Sequence, residues 1–212
     1  MLDERLQEYI DVLIPARSGI LVEMEGYAKE HQVPIMEPAG IEAMLQILRI
    51  KQAETILEIG TAIGYSALRM AFALPSAKIV TIERDEERLA KAKVYIEKAG
   101  KESQITTIFG DALETEEQVS QQGPFDAIFI DAAKGQYQRF FDMYTTYLKP
   151  GGIVVTDNVL FKGLVATQEA ATKRTRNLVK KIDDFNKWLM SNPDYDTVIL
   201  PVGDGVAISV KR

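Results

Sequence analysis

Apolar residues recur along this chain with two different periods, and the change from one to the other divides it. Leu2, Leu6, Tyr9, Ile10 and Leu13 fall three and four apart, which predicts an amphipathic helix ended by Pro15. A second helical pattern covers about Gly19 to His31, Pro34 and Pro38 bracket a short extended link, and Ile41, Met44, Leu45 and Leu48 form a third helical stripe. From residue 55 the pattern alternates. Short apolar runs at 55–60, 78–83, 105–109, 126–131 and 152–156 predict strands, with helical stretches at about 65–75, 85–99, 112–121 and 136–148 between them. Such alternation implies right-handed βαβ crossovers and a parallel sheet covered on both faces. A long helix follows at about 169–191. TVILPV and GVAISV, separated by Gly203 and Asp204, then give a hairpin signal that closes the sheet with an antiparallel strand.

No repeat, linker or low-complexity segment interrupts the 212 residues, so one domain over 1–212 is expected. The helices of residues 1–52 precede the first strand and would cover the site or form a subunit interface. At 46% hydrophobic and 26% charged, the composition is that of a globular protein. There is no cysteine, which excludes disulfides and thiolate chemistry and leaves any metal to oxygen ligands or to the single histidine, His31. The N-terminus lacks the regions of a signal peptide and no apolar run approaches ~20 residues, so the expectation is a cytoplasmic protein with no membrane partner. A net charge of −6 argues against general binding of nucleic acid but leaves room for a local basic patch.

The stretch TILEIGTAIGYS, Thr55 to Ser66, reads as strand, glycine turn and helix. Gly60 can take a positive φ, Gly64 leaves nothing between helix and ligand, and Tyr65 and Ser66 open a helix whose free N–H groups face the strand ends. A tight turn without a ligand would read the same way. Glu83 ends the next strand, 23 residues after Gly60, where an acid can accept hydrogen bonds from ribose hydroxyls. Gly110-Asp111-Ala112 puts a carboxylate at the third strand end, within reach of an adenine amino group. Each acid alone also fits a polar strand end or a helix cap. Together, at successive carboxyl ends and with a G-x-x-x-G turn that lacks a pyrophosphate pattern, they point to a nucleoside cofactor.

The fourth strand runs into FIDAAKGQY and the fifth into VVTDNVLFKG, which places Asp131 beside Asp157 and Asn158. Two carboxylates and an amide oxygen make a hard donor set suited to Mg²⁺ or another divalent cation, although polar strand ends and a helix cap would give the same residues. Lys134 lies three residues after Asp131, and an amine beside a divalent cation has its neutral form favoured, which suits a general base. Tyr137 either lines the site or packs under the following helix. Such a cation, chelating two vicinal oxygens, would acidify a hydroxyl.

Glu58, Gly60 and Gly64, with Ala62 at the middle glycine, resemble the E/D-x-G-x-G-x-G motif of class I S-adenosylmethionine-dependent methyltransferases. With Asp131-Ala-Ala-Lys134 and Asp157-Asn158 added, the chain resembles the cation-dependent O-methyltransferase family of the catechol and caffeoyl-coenzyme A enzymes over nearly its whole length. That resemblance implies an α/β, Rossmann-like fold: a mostly parallel seven-stranded sheet with a C-terminal antiparallel hairpin and helices on both faces. It implies S-adenosylmethionine held by Glu58 at its methionine end, by Gly60, Gly64, Tyr65, Ser66 and Asp131, by Glu83 at the ribose, and by Asp111 and Ala112 at the adenine. It further implies a cation on Asp131, Asp157 and Asn158, Lys134 as base, and a homodimer. The plant branch has D-A-D-K, so Ala133 argues against a plant phenylpropanoid substrate.

A catechol offers two adjacent oxygens, and so does 5-hydroxyuracil. Residues 173–181 carry five basic side chains and no acid; Lys173, Arg174 and Arg176 lead this segment, and with Lys162 and Arg17 it could track phosphates or simply form a solvated helix face. PIMEPAG, FIDAAKGQYQ, TDNVLFKGLVA and LPVGDGVAIS are similar to the bacterial branch of the family that acts on 5-hydroxyuridine at the tRNA wobble position. That likeness implies a tRNA anticodon loop as substrate and 5-methoxyuridine as product, with a small catechol-type hydroxyl as the alternative. A nucleoside-binding protein without chemistry is the reading from a different class.

Overall fold

The computed structural model describes residues 4–169 and 172–212, so Leu2 of the first helical stripe and residues 170 and 171 of the long helix lie outside the described residues. Three helices come first: α1 (Glu4–Leu13), α2 (Ile20–Glu30) and α3 (Pro38–Lys51), the last with proline at its first position, where no N–H is needed. The alternating part follows as β1 (Thr55–Ile59), α4 (Tyr65–Ala73), β2 (Lys78–Glu83), α5 (Glu86–Lys98), β3 (Ile105–Phe109), α6 (Glu116–Ser120), β4 (Phe125–Ile130), α7 (Tyr137–Tyr144) and β5 (Leu148–Thr156). A short α8 (Leu164–Thr167), the long α9 (Lys173–Ser191), β6 (Tyr195–Leu200) and β7 (Val206–Lys211) complete it. None of the described helices is long and apolar enough to cross a membrane.

The seven strands are ordered β3-β2-β1-β4-β5-β7-β6, and only β7 runs against the others. The chain winds outward from β1 to β3, then returns to the other side of β1 with β4. That reversal opens a crevice beyond the carboxyl ends of β1 and β4, where α/β sheets bind ligands. Successive side chains of each strand alternate between faces. Ile56, Ala127, Phe129 and Val155 pack with Met44, Leu45 and Leu68 of α3 and α4, while Leu57, Ile128, Ile130 and Val154 pack with Phe141, Phe185 and Leu189 of α7 and α9. Burial on both faces explains why these strands read as continuous apolar runs.

Several boundaries differ from the sequence pattern. The helix expected at 112–121 is confined to α6, because Asp111 accepts the Leu113 N–H on its side chain (2.9 Å) and the Glu114 N–H on its carbonyl (2.8 Å), which makes a turn instead. β4 stops at Ile130, leaving Asp131 just beyond the ladder, and β5 begins four residues early, at Leu148. The hairpin loop covers residues 201–205 and not two residues alone: Leu200↔Val206 is the final pair, and the Gly205 N–H closes the loop on the Val202 carbonyl at 2.9 Å.

Polar ties fasten the N-terminal helices to α4. Tyr65 donates to Glu25 of α2, Arg69 donates to the Tyr65 hydroxyl (3.1 Å) and pairs with Glu42 of α3, and Arg17 pairs with Glu25 at 2.7 Å. These contacts set the link between α2 and α3, including Pro34 to Met36, along the mouth of the crevice.

Glu58 sits in β1, fully buried, with its Oε2 accepting from the Thr81 hydroxyl at 2.5 Å, Ser66 beside it, and its Oε1 without a well-aligned donor among the described residues. Burial pushes its pKa from the ordinary 4.5 up to about 8, so the carboxyl is protonated at neutral pH. The native state therefore binds a proton that the unfolded chain releases near 4.5. The resulting stability is complete below that value and is lost as pH rises through about 8. In the ligand-free protein, Glu58→Gln should flatten the fall in melting temperature between about pH 5 and about pH 8. Parallel slopes for the two proteins would show that Glu58 does not hold that proton.

Candidate active site

The crevice is a cleft of about 280 Å³ lined by the ends of the five parallel strands β1 to β5 and by Pro34, Ile35 and Met36. Gly60 makes it possible. Its φ is +106°, and a Cβ there would lie 2.0 Å from the Asp131 carbonyl oxygen, so only glycine lets the ends of β1 and β4 approach so closely. The ladder continues past the strands: the Asp131 N–H donates to the Ile59 carbonyl at 3.0 Å and the Asp157 N–H to the Ile130 carbonyl at 3.1 Å. Gly64, with φ +84°, caps α4 against Ala92.

Ala62, at the middle glycine of the motif, holds φ +46°, a left-handed conformation that costs a residue with a Cβ about 1–2 kcal/mol. Its N–H donates to Glu83 Oε2 at 2.7 Å, and Oε1 of the same carboxylate accepts the N–H groups of Arg84 and Asp85, both at 2.9 Å. Three backbone donors thus hold Glu83 rigid at the cleft wall. Asp111 stands at the next strand end with Ala112, its Oδ2 3.5 Å from the Arg84 guanidinium.

On the other side of Gly60 the cleft holds Asp131, Lys134, Asp157 and Asn158. Burial pushes the Asp131 carboxyl up, against the pull of the Lys134 ammonium. Burial and then the facing Asp131 push Asp157 up to about 8. Asn158 donates to Asp157 Oδ2 at 3.1 Å, and Lys134 donates to Asn158 Oδ1. No three His, Cys, Asp or Glu side chains converge among the described residues, so any cation here would rest on two carboxylates and one amide oxygen. The residues present fit that role: two buried acids that oppose each other's ionisation, next to a neutral oxygen, are the donors a hard divalent ion satisfies.

The backbone after Asp157 is strained. Asn158 (φ 59°), Phe161 (45°), Lys162 (55°) and Gly163 (77°) are all left-handed, and such runs persist only where neighbouring structure holds them.

Gly60, Tyr65, Ser66, Glu83, Asp111, Ala112, Asp131, Lys134, Asp157 and Asn158 all line one cleft. Other residues singled out in the sequence lie elsewhere. Glu58 does not itself line the cleft: it is fully buried against Thr81 and next to Ser66, whose side chain does line it. Tyr137 packs on Phe185, with its hydroxyl on the Asp157 carbonyl at 2.9 Å, and so belongs under the helix. Arg17 is turned onto Glu25 with its side chain 18% exposed, unlike the open cation expected for phosphate contact. Lys162, Lys173, Arg174 and Arg176 are exposed outside the cleft, and Lys181 of α9 comes closest to it: a Cβ on Gly135, next to Lys134, would lie 3.5 Å from the Lys181 ammonium. Sequence reasoning missed Arg84, Arg88, Phe140 and the Pro34–Met36 wall. Arg84 follows Glu83 directly and could have been read from that adjacency; the others come from elements whose docking no local pattern encodes.

The model of the O-methyltransferase family matches residues 16–212. A catechol O-methyltransferase from Niastella koreensis is 33% identical, with 99% of this chain and 97% of that protein covered. Among solved structures, a provisionally named caffeoyl-CoA O-methyltransferase from Staphylococcus aureus is 39% identical with a TM-score of 0.92, covering 99% of this chain and 100% of the other. An O-methyltransferase from Bacillus cereus, solved in complex with SAH, is 26% identical with a TM-score of 0.82, covering 98% of this chain and 97% of the other. The fold, the cleft at the strand ends and these likenesses agree: the chain belongs to the O-methyltransferase family, of the catechol and caffeoyl-CoA type.

Proposed function

We propose that this chain moves a methyl group from S-adenosylmethionine to the 5-hydroxyl of 5-hydroxyuridine at the tRNA wobble position, giving 5-methoxyuridine, with Mg²⁺ or another divalent cation at Asp131, Asp157 and Asn158. The observation that carries the chemistry is the convergence of those residues and Lys134 in one cleft with Glu83 and Asp111. The SAH-bound Bacillus cereus relative supports the cofactor.

S-adenosylmethionine supplies an electrophilic methyl carbon, and a divalent cation supplies positive charge that favours the ionised form of a chelated hydroxyl. Glu83, fixed by its three backbone donors, offers its remaining lone pairs to ribose hydroxyls. Asp111 and Ala112 receive the adenine. Asn158 Oδ1, which accepts from Lys134 in the structure, would be one of the oxygens that hold the cation, leaving Lys134 Nζ available to the acceptor. In its neutral form Lys134 takes the acceptor's hydroxyl proton at Nζ. The acceptor oxygen then bonds to the methyl carbon as the carbon–sulfur bond breaks, and the electron pair stays on sulfur. Ile35, Met36 and Phe140 line the cleft with apolar surface and keep water from the reacting pair, so that positioning does much of the work.

The basic first turns of α9 support RNA as the acceptor. Lys173 and Arg174 are exposed at its start, and Lys181 reaches the turn that carries Lys134. A base unstacked from a single-stranded loop could enter while its phosphates met this face. A small catechol is the second reading, favoured by the name of the Niastella koreensis relative. Exposed apolar side chains on the N-terminal helices, Tyr9, Val12 and Leu13 of α1, Val22 of α2 and Ile50 of α3, support a homodimer.

Methyl transfer to hydroxyuridine-containing tRNA should vanish with chelator, return with Mg²⁺, and fall about 100-fold or more in kcat for Lys134→Ala. Transfer indifferent to chelator and to that substitution would sink the mechanism, and efficient use of catechol with inert tRNA would replace the acceptor. Replacing Lys173, Arg174 and Arg176 together by Ala should raise KM for tRNA by about tenfold and reduce its dependence on salt. An unchanged KM and salt slope would remove α9 from the RNA-binding surface.

A further inference from the structure

The left-handed loop that follows Asp157 is held by the hairpin turn between β6 and β7, a turn with no part in the proposed chemistry. Asp204 accepts on its carbonyl the N–H groups of Leu160 (3.0 Å) and Phe161 (3.2 Å), and on its carboxylate Oδ1 the N–H of Lys162 (2.7 Å). The Gly205 carbonyl accepts the Val159 N–H at 3.0 Å. Four successive amides, Val159 to Lys162, therefore end on two residues of one turn. Two further groups fix the carbonyls of the same stretch: the Tyr137 hydroxyl on Asp157 (2.9 Å) and the buried Asn186 side chain on Val159 (2.7 Å). The fit is close. A Cβ on Gly205, at φ +88°, would fall 2.4 Å from Leu160 Cγ and 2.7 Å from its backbone nitrogen.

We infer that Asp204 is a positioning residue for the methyl-transfer site, holding residues 159–162, with Phe161 and Lys162 in the left-handed region, so that Asn158 presents its amide oxygen beside Asp157. This rests on the function proposed above. A loop with two non-glycine residues, Phe161 and Lys162, in a disfavoured conformation relaxes when one of its acceptors is removed, and relaxation begins three residues from Asn158. Among the described residues, the Lys162 N–H finds its acceptor in Asp204 Oδ1. A misplacement of an ångström at a ligand-bearing loop costs rate far more than it costs stability. Asp204 does not line the cleft; it acts through the backbone of the loop.

The test compares Asp204→Ala, Asp204→Asn and wild type. Asparagine keeps an oxygen for the Lys162 N–H and loses the charge, whereas alanine loses both. In Asp204→Ala we expect hydrogen–deuterium exchange of residues 159–162 to accelerate, Mg²⁺ affinity measured by calorimetry to fall about tenfold, and kcat to fall roughly 10- to 100-fold, while KM for S-adenosylmethionine stays within about twofold. Asp204→Asn should restore most of all three. Equal losses in Asp204→Asn and Asp204→Ala would mean that charge and not hydrogen bonding is what Asp204 supplies, and would overturn the inference. So would unchanged exchange and Mg²⁺ affinity in Asp204→Ala. Gly205→Ala, which pushes on Leu160 from the same turn, should reproduce the exchange and Mg²⁺ effects if it folds; the Asp204 pair decides the matter if it does not. Absence of methyl transfer by the wild type to either tRNA or catechol would overturn the proposed function alone, because exchange and Mg²⁺ affinity still decide the role of Asp204.

Discussion

The ends of β1 and β4 come within hydrogen-bonding distance at Gly60, where the space a side chain would need is filled by the Asp131 carbonyl. This single approach joins the two halves of the site. It keeps the parallel ladder running one residue past the strands, so Asp131 and, through Ile130, Asp157 are carried on sheet backbone and not on free loops. It also forces the turn through positive φ into α4, which aims Tyr65 and Ser66 at the cleft. A wider gap at this point would leave a glycine loop and two acids, each tolerable alone, with no shared cavity between them.

Around that junction the chain buries more carboxyl groups than an interior accepts without compensation. Glu58, Asp131 and Asp157 all sit in low dielectric, and all are pushed toward their protonated forms. The compensation differs on the two faces of β1. Behind the cleft Glu58 stays neutral among threonine hydroxyls, a structural arrangement. In the cleft the opposing pair meets an amide and an ammonium, groups that can exchange partners. Similar acids at adjacent strand positions thus serve different ends, set by which way each side chain points.

Much of this was legible in the sequence because the site is built where strands end, and strand ends are visible as acids or glycines after apolar runs. Glu83, Asp111, Asp131 and Asp157 were located in that way, and the structure gathers them. Glu58 is less direct: the family motif implies a place at the methionine end of the cofactor, while its side chain is buried between Thr81 and the cleft-lining Ser66 and does not itself line the cleft. Tyr137 could not be decided locally, since a tyrosine at a helix start serves equally as wall or as core. The packing of the Pro34–Met36 wall and of the turn at Asp204 was illegible although both stretches stand out as motifs: one is placed by ties from Glu25 and Glu42 to α4, the other by a hairpin that inserts beside β5, and no local pattern says what either will meet.

The strand order has a consequence for synthesis. β7 lies between β5 and β6, although it is the latest strand in sequence. While a ribosome is still extending the chain through α9, the five parallel strands can pair, but β5 presents an open edge with a row of unsatisfied backbone groups, the kind of edge on which nascent chains associate wrongly. The loop after Asp157 has at that stage no acceptors for its amides, because Asp204 and Gly205 have yet to arrive. Closing the sheet and completing the site are therefore one late event, and a chain stalled before the hairpin is at once sticky and inert.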